Sequence, residues 1–449
     1  MTQQPQPVPP FNPNAPHQLK PKLRALRGFP AQHGEQQLMG LADARQVSDK
    51  VVITSPGFQL VLPHMNGERD LDAIVKAVGR GLSIEVLQQF IAQLDDAGLI
   101  EGPTFEQMLA TMRAEFDKSA NLPPASSAAI ADALVMQSEG EGATDEQKKE
   151  LGPAKLRGAL DAWMKQTLDP APDPSFDALP KAVVAPHLDY WRGWLNYAHV
   201  YGRLRVVDKP DRVVILGTNH FGQGTGVVAC DKGYETPLGV CQVDRAFLDL
   251  VSAKLGKENA GKMLADRYDH EREHSIELHI PWIQQVFGGA DGAGTPKVVG
   301  FLVHDPVQNN GESYDGNGLG LLPFVEALKA AIDEAPGRTL IVASADFSHV
   351  GKSFGDNQPI MGESPEAEQF RQKVLTHDQE MLALLEAGKA EELVSSMAWQ
   401  QNPTRWCSVG NLVAMLKATG ATSVKRLNYA GVGDKDGVAF VTTYAGVVM

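Results

Sequence analysis

Four β-branched apolar runs constrain this chain more than any other feature: "KAVVAPH", "DRVVILGTNH", "KVVGFLVH" and "TLIVASADFSH". Each passes from apolar residues to polar ones, and helical patterns lie between them. Runs without polar alternation are strands buried on both faces, covered by the intervening helices. The expected architecture is α/β, with a mostly parallel or mixed sheet over residues 151–449. In such a sheet the carboxyl ends of neighbouring strands converge on one crevice, so chemistry is expected at the strand exits.

Three of the runs end alike, in Pro186-His187-Leu188-Asp189-Tyr190, Gly217-Thr218-Asn219-His220 and Ser344-Ala345-Asp346-Phe347-Ser348-His349. One histidine at a strand end is ordinarily a hydrogen-bonded structural residue. Three at equivalent ends, with an aspartate among them, point to a metal or acid/base site. Cys407 in "RWCSVGNLVAMLKATG" sits at or just before a helix N-terminus, where the dipole favours thiolate, a nucleophile or metal ligand, over thiol; the bland alternative is an inert buried cysteine. Cys230 and Cys241 flank the "KGYETPLG" turn and could face each other across a hairpin.

A competing motif is His270-Glu271-Arg272-Glu273-His274, a literal H-E-x-x-H, which on one helix would set two zinc ligands beside a general base. No third ligand follows at a familiar distance. The same spacing also brings Glu273, His274 and Glu277 together as a hydrogen-bonded network that could support another site.

Lys and Arg total 41 against 55 Asp and Glu, a net charge of −14 that argues against a nucleic-acid binder. Three cysteines cannot close a disulfide framework, and no run is long and apolar enough to span a bilayer, so the expectation is a cytoplasmic protein without membrane contact. Residues 1–35 are proline-rich and expected as an extended or disordered tail. In residues 36–102, strand patterns at Val51–Ile53 and Phe58–Leu62 flank the Ser55-Pro56-Gly57 turn. Leu71, Ile74, Val75 and Val78 mark one helix, and Ser83 caps a second that Gly98 ends. Residues 103–150, rich in Ala, Ser, Pro and Glu, are expected as a linker with one or two helical stretches.

The segment "MNGERDLDAIVKAVGRGLSIEVLQQFIAQLDDAGLIEG" resembles winged-helix-like PqqD modules, which implies peptide or protein docking. Its surroundings, residues 1–102, hold nine Lys/Arg against ten Asp/Glu and so show no basic DNA-reading face. Further along, "VAPHLDY", "GTNHFG", "TPLG…VD", "EHSIELHIPW", "SADFSHVG" and a late Cys before a helix resemble, in order, the Memo family, including AmmeMemoRadiSam system protein B. The resemblance implies a fold related to the class III extradiol dioxygenases, whose non-haem iron is held by two His and a carboxylate. It implies His187, His220 and Cys407 as metal ligands, and Asp346, His349 and His274 as catalytic or pocket residues. Tyr190, Asn219 and Glu277 are expected in the substrate pocket. Asp189 stands where the family usually has glycine, as an extra ligand or a base, and Ser408 replaces a glycine after the Cys.

Two imidazoles and a thiolate suit a divalent transition metal, iron first, with copper or zinc as alternatives. The leading expectation is a metal-dependent, redox or oxygen-using enzyme acting on a small molecule or modified peptide. A radical-SAM protein is a possible partner. The alternatives are a non-catalytic metal- or peptide-binding adaptor, and a zinc hydrolase using His270, Glu271 and His274.

Overall fold

A computed structural model describes residues 9–34, 36–289 and 294–449, and the chain divides into two compact units at Ser119/Ala120. The first unit is an antiparallel sheet of β1 (Leu26–His33), β2 (Gln36–Asp43) and β3 (Val51–Thr54), with helices Leu71–Val78 and Ile84–Asp96. The helices begin at side-chain caps, Asp70 accepting from Ala73 N and Ser83 from Val86 N. Their apolar stripes (Ile74, Leu87, Phe90, Ile91, Leu94) meet Leu41 and Val52 of the sheet.

Two expectations for this unit change. The tail is ordered from a helical turn at Pro16–Leu19 through β1; residues 1–8 lie outside the described residues. Within β1, Pro30 is tolerated because the strand is at the edge of its sheet. The strand expected at Phe58–Leu62 is instead a pair of 3-10 turns, Pro56–Leu60 and Leu62–His64. Pro56 at the first position and the Ser55 hydroxyl, which accepts from Gly57 N, start the turn.

The expected linker is also structured. Pro103–Phe116 is a helix of the first unit, while Ser126–Glu139 and Asp145–Leu168 are helices of the second. Small residues disguised the Ser126–Glu139 helix as a linker, yet Ser127, Ile130, Ala131 and Val135 are buried.

The second unit opens with β4 (Asn121–Leu122), which joins β8 (Gly233–Thr236) and β9 (Gly239–Cys241) in a small sheet. Its main sheet contains the four runs as β5 (Ala182–Ala185), β6 (Arg212–Thr218), β10 (Lys297–Val303) and β11 (Thr339–Ser344). The short β7 (Val228–Ala229) and the strands β12 (Asp346–Val350), β13 (Lys425–Gly433) and β14 (Phe440–Val448) extend it. The order is β12-β14-β5-β11-β6-β10-β7, with β13 on β14. The four runs lie parallel and the added strands antiparallel.

Val184, Val214, Leu216, Phe301 and Ala343 share one core with residues of helices Arg245–Leu264, Leu321–Glu334 and Val409–Thr419. The alternate residues Val183, Val213, Ile215, Leu340 and Val342 are fully buried as well, so both faces are covered. An aromatic layer completes the unit: Tyr197 stacks on Trp282 at 5.5 Å and 4°, and Tyr190 and Tyr201 pack against the same indole. No helix among the described residues is long and apolar enough to cross a membrane.

Cys230 does not face Cys241 across the hairpin, because the β8/β9 register pairs Tyr234 with Cys241. Burial pushes both thiols up to about 12, which suits inert core residues.

His270 and His279 are wholly buried, and burial pushes their pKa down to about 4 and about 3. On unfolding each gains a proton below its ordinary value near 6.5 that the native state refuses. Stability is therefore expected to fall as pH drops from about 6.5 toward 4, by up to about 1.4 kcal/mol per pH unit for each histidine. Urea denaturation at pH 7, 6 and 5 checks this, and His279→Gln is expected to make the pH dependence shallower.

Candidate metal centre

The order β5-β11-β6 places three of the four runs side by side. Their exits carry His187, Asp346 and His220, each two residues past its strand's last residue. Cys407 arrives from elsewhere, directly before Ser408, the N-cap of helix Val409–Thr419. The ligand atoms of His187, His220 and Cys407 all lie within 4.8 Å of one another, with Sγ 3.3 Å from His187 Nε2.

Hydrogen bonds settle which ring nitrogens face this point. The Ser344 hydroxyl has one proton and donates it to Ser275 O at 2.6 Å, so its contact with His187 Nδ1 at 2.9 Å must be accepted from Nδ1–H. His187 Nε2 is then bare and aimed at the thiol. Burial lowers the His187 pKa well below the ordinary value, which agrees with a neutral ring.

His220 is held by the buried Glu273, which accepts from His220 N at 2.7 Å, from His220 Nδ1 at 3.0 Å and from Ser275 N at 2.8 Å. Burial opposes charge on both partners. Their attraction prevails, raising the His220 pKa well above normal and holding Glu273 down at about 2. His274 Nδ1 lies 3.3 Å from the same Glu273 oxygen, and its ring stacks on His220 at 4.9 Å. Glu273 thus orients two imidazoles, in the manner of carboxylates behind metal-bound histidines.

The segment bearing Glu273 sits directly on the end of β6. A Cβ on Gly217 would come within 2.6 Å of Ile276 Cγ1 and 2.7 Å of Ser275 Oγ, so only glycine allows this approach. Asn411 fastens the other side, donating to Thr218 Oγ1 at 3.0 Å and Ser344 O at 2.7 Å, while Thr218 donates to Cys407 O.

Asp346 and His349 lie three apart and in a regular strand would face opposite ways. A bulge between them breaks the β12/β14 register, and both line the same cavity. Asp346 accepts from His187 N, and burial pushes its pKa up to about 7. His349 Nδ1 faces two carbonyls, Phe347 O at 2.7 Å and Arg405 O at 3.1 Å, so Nδ1 carries the proton and Nε2 is a free acceptor. Burial brings its pKa down to about 4.

Behind these residues, Asp378 is fully buried and accepts from Ser348 Oγ (2.5 Å), Trp406 Nε1 (2.8 Å), Tyr429 OH (2.6 Å) and Thr442 Oγ1 (2.5 Å). Two of these donors immediately precede His349 and Cys407. The cavity in front measures about 480 Å³, and its lining includes Asp189, Arg192, Ile130 and Leu278.

Several expected site residues belong elsewhere. Tyr190 is core, its hydroxyl donating to Leu278 O. Asn219 braces its own loop, donating to Asp269 and accepting from Gly222 N. Glu277 caps the Ser126–Glu139 helix, accepting from Ala125 N, Ser126 N and Ser127 N at 2.9 Å and from Ser127 Oγ at 2.6 Å. Asp189 lines the cavity without joining the donor group, because it caps helix Tyr190–Leu204 and pairs with Arg192.

The H-E-x-x-H reading fails on geometry. His270 and Glu271 end a 3-10 turn, the helical path breaks at Arg272–Glu273, and a new helix starts at His274. Both His270 nitrogens are engaged, by Tyr234 OH and Val228 O.

A sequence profile described as Memo-like protein matches residues 150–448. The chain belongs to the Memo-like family. A MEMO1 family protein of Desulfurococcus amylolyticus is 32% identical over 202 residues, 44% of this chain and 64% of that protein. One of Methanopyrus kandleri is 31% identical over 304 residues, 66% of this chain and 93% of its own. Another, of Methanothermobacter thermautotrophicus, is 27% identical over 294 residues, 64% and 91% respectively. The profile begins after the Ser126–Glu139 helix, so in this Memo-like chain the cavity wall at Ile130 comes from outside the matched region.

The donor set fits a transition-metal ion. Bonds of about 2.0–2.3 Å around one centre put ligand atoms roughly 3–4.5 Å apart, and each imidazole commits Nδ1 to a protein partner, so Nε2 is the nitrogen a metal would take once His220 gives up its proton. Metal analysis of protein purified without oxygen is expected to show loss to below about a tenth in His187→Ala, His220→Ala and Cys407→Ala. Ser344→Ala should weaken affinity about 10–100-fold. His270→Ala should retain the metal, and loss there with retention in Cys407→Ala would reverse the assignment.

Proposed function

We propose that this Memo-like protein is a non-haem metal enzyme that holds a divalent transition metal, iron foremost, on His187, His220 and Cys407. On this reading it carries out redox or oxygen-using chemistry on a small molecule or modified peptide. The observation that carries it is the convergence of two oriented imidazoles and a thiol from separate places in the sequence, with both imidazoles lining a cavity of about 480 Å³. That volume suits a small substrate or the end of a peptide.

A bound metal would supply Lewis-acid and electron-transfer chemistry with coordination positions left open by three protein ligands. The chain's own groups supply proton handling. His349 holds its proton at Nδ1 against two carbonyls and offers Nε2 as a base. Asp346, pushed up to about 7, can hold or release a proton near neutrality. Leu188, Leu278, Val441 and Phe354 add apolar surface to the same cavity.

The test is oxygen uptake by protein loaded with Fe(II) under nitrogen and then exposed to air with small-molecule and peptide candidates. Wild type is expected to consume oxygen with substrate turnover, and Cys407→Ala to do neither. His349→Ala should retain its metal while turnover falls about 10²–10⁴-fold. Equal turnover in wild type and Cys407→Ala would sink the proposal.

A further inference from the structure

The cavity lined by His187 and His220 carries two unlike groups of residues. One is apolar, formed by Ala129 and Ile130 of the Ser126–Glu139 helix with Leu278 and Val441. The other carries Asp189 and Arg192, from the cap and first turn of helix Tyr190–Leu204. Arg192 Nε and Nη2 both meet Asp189 Oδ2 at 2.6 Å, while Asp189 Oδ1 accepts the helix N–H of Arg192. One carboxylate oxygen thus fixes the guanidinium along a single edge. A guanidinium has five N–H donors, and this pairing uses two. Both hydrogens on Nη1 and one on Nη2 have no partner among the described residues.

Arg192 is the one guanidinium among the described residues that line the cavity, and no lysine lines it. Asp189 offsets the Arg192 charge but spends its oxygens on Arg192 and the helix cap. It therefore orients the guanidinium without filling the donors that remain. A guanidinium fixed in this way is the usual means of reading a planar anion through two parallel hydrogen bonds.

Resting on the reading of this cavity as a substrate site, we propose that Arg192, positioned by Asp189, binds a carboxylate on the substrate while the substrate's apolar body lies against Ile130, Leu278 and Val441. The substrate class is a small amphipathic acid or the C-terminal residue of a peptide. Both present the same carboxylate.

The experiment is equilibrium binding to the 449-residue chain, metal-free and metal-loaded, followed by tryptophan fluorescence and calorimetry. The probes are N-acetyl-leucine and 4-methylpentanoate, each against its primary amide. The acid is expected to bind more than about ten-fold tighter than its amide, with affinity falling as salt rises. Arg192→Gln should erase the preference for acid and leave amide binding unchanged, while Arg192→Lys keeps part of it. Ile130→Asp should weaken acid and amide alike.

Binding of the acyl amino acid alone supports a peptide terminus, binding of 4-methylpentanoate alone supports a free acid, and binding of both supports the shared carboxylate. Acid and amide binding equally, neither acid binding, or an unchanged preference in Arg192→Gln would each overturn the inference. Metal content is measured on the same samples. A protein that discriminates acid from amide but retains no metal would leave this inference standing and remove the metal reading, and the converse result would do the opposite.

Discussion

Parallel pairing of β5, β11 and β6 in one register is the constraint from which the rest follows. Neighbouring strands lie about 4.8 Å apart, so the exits of β5 and β6, on either side of β11, stand about 10 Å apart and within one residue of the same level, close enough for side chains leaning inward to meet. His187, Asp346 and His220 need no long-range coincidence to meet. The ladder brings them together, and both faces of the sheet are buried so that it cannot slip without exposing Val, Ile and Leu side chains.

That scaffold brings ionisable groups into the interior, and each is answered by directed hydrogen bonds. Glu273 is matched by His220, His274 and two backbone N–H groups, and Asp378 by four donors from three strands and the loop before helix Val409–Thr419. Such groups contribute little net stability, because desolvation consumes most of the attraction. What they supply is orientation: one nitrogen of each ring around the cavity is held by the protein. Ser344 does this for His187, Glu273 for His220 and His274, and two carbonyls for His349.

The Ser126–Glu139 helix shows how an element outside the Memo-like match becomes part of the same cavity. Glu277 lies one turn beyond the segment that orients His220 and His274, and it accepts every hydrogen bond that the helix N-terminus offers to it. A carboxylate at a helix N-terminus is favoured by the helix dipole as well as by the N–H groups. The outer wall of the cavity is thereby tied to the segment that holds its inner imidazoles.

The strand exits were legible because apolar runs and the polar residues that end them are local patterns. His187, His220, Asp346 and His349 could be named from them. Cys407 was visible as a residue type before a helix, without any sign of what it would face. Tyr190, Asn219 and Glu277 were misplaced because adjacency to a site residue says nothing of side-chain direction: Tyr190 turns into the core, and Glu277 turns to a helix some 150 positions earlier. The bulge that brings Asp346 and His349 to one cavity had no local signature, and neither did the hydrogen-bond partners that set each ring's tautomer.

By itself the sequence determined the layers and the strand ends, since hydrophobic periodicity acts over a few residues. Only the tertiary structure decided which nitrogen faces the thiol, which carboxylate is spent on a helix cap and which guanidinium donors stay free. Those outcomes depend on contacts between residues tens to hundreds of positions apart, which form when the sheet closes.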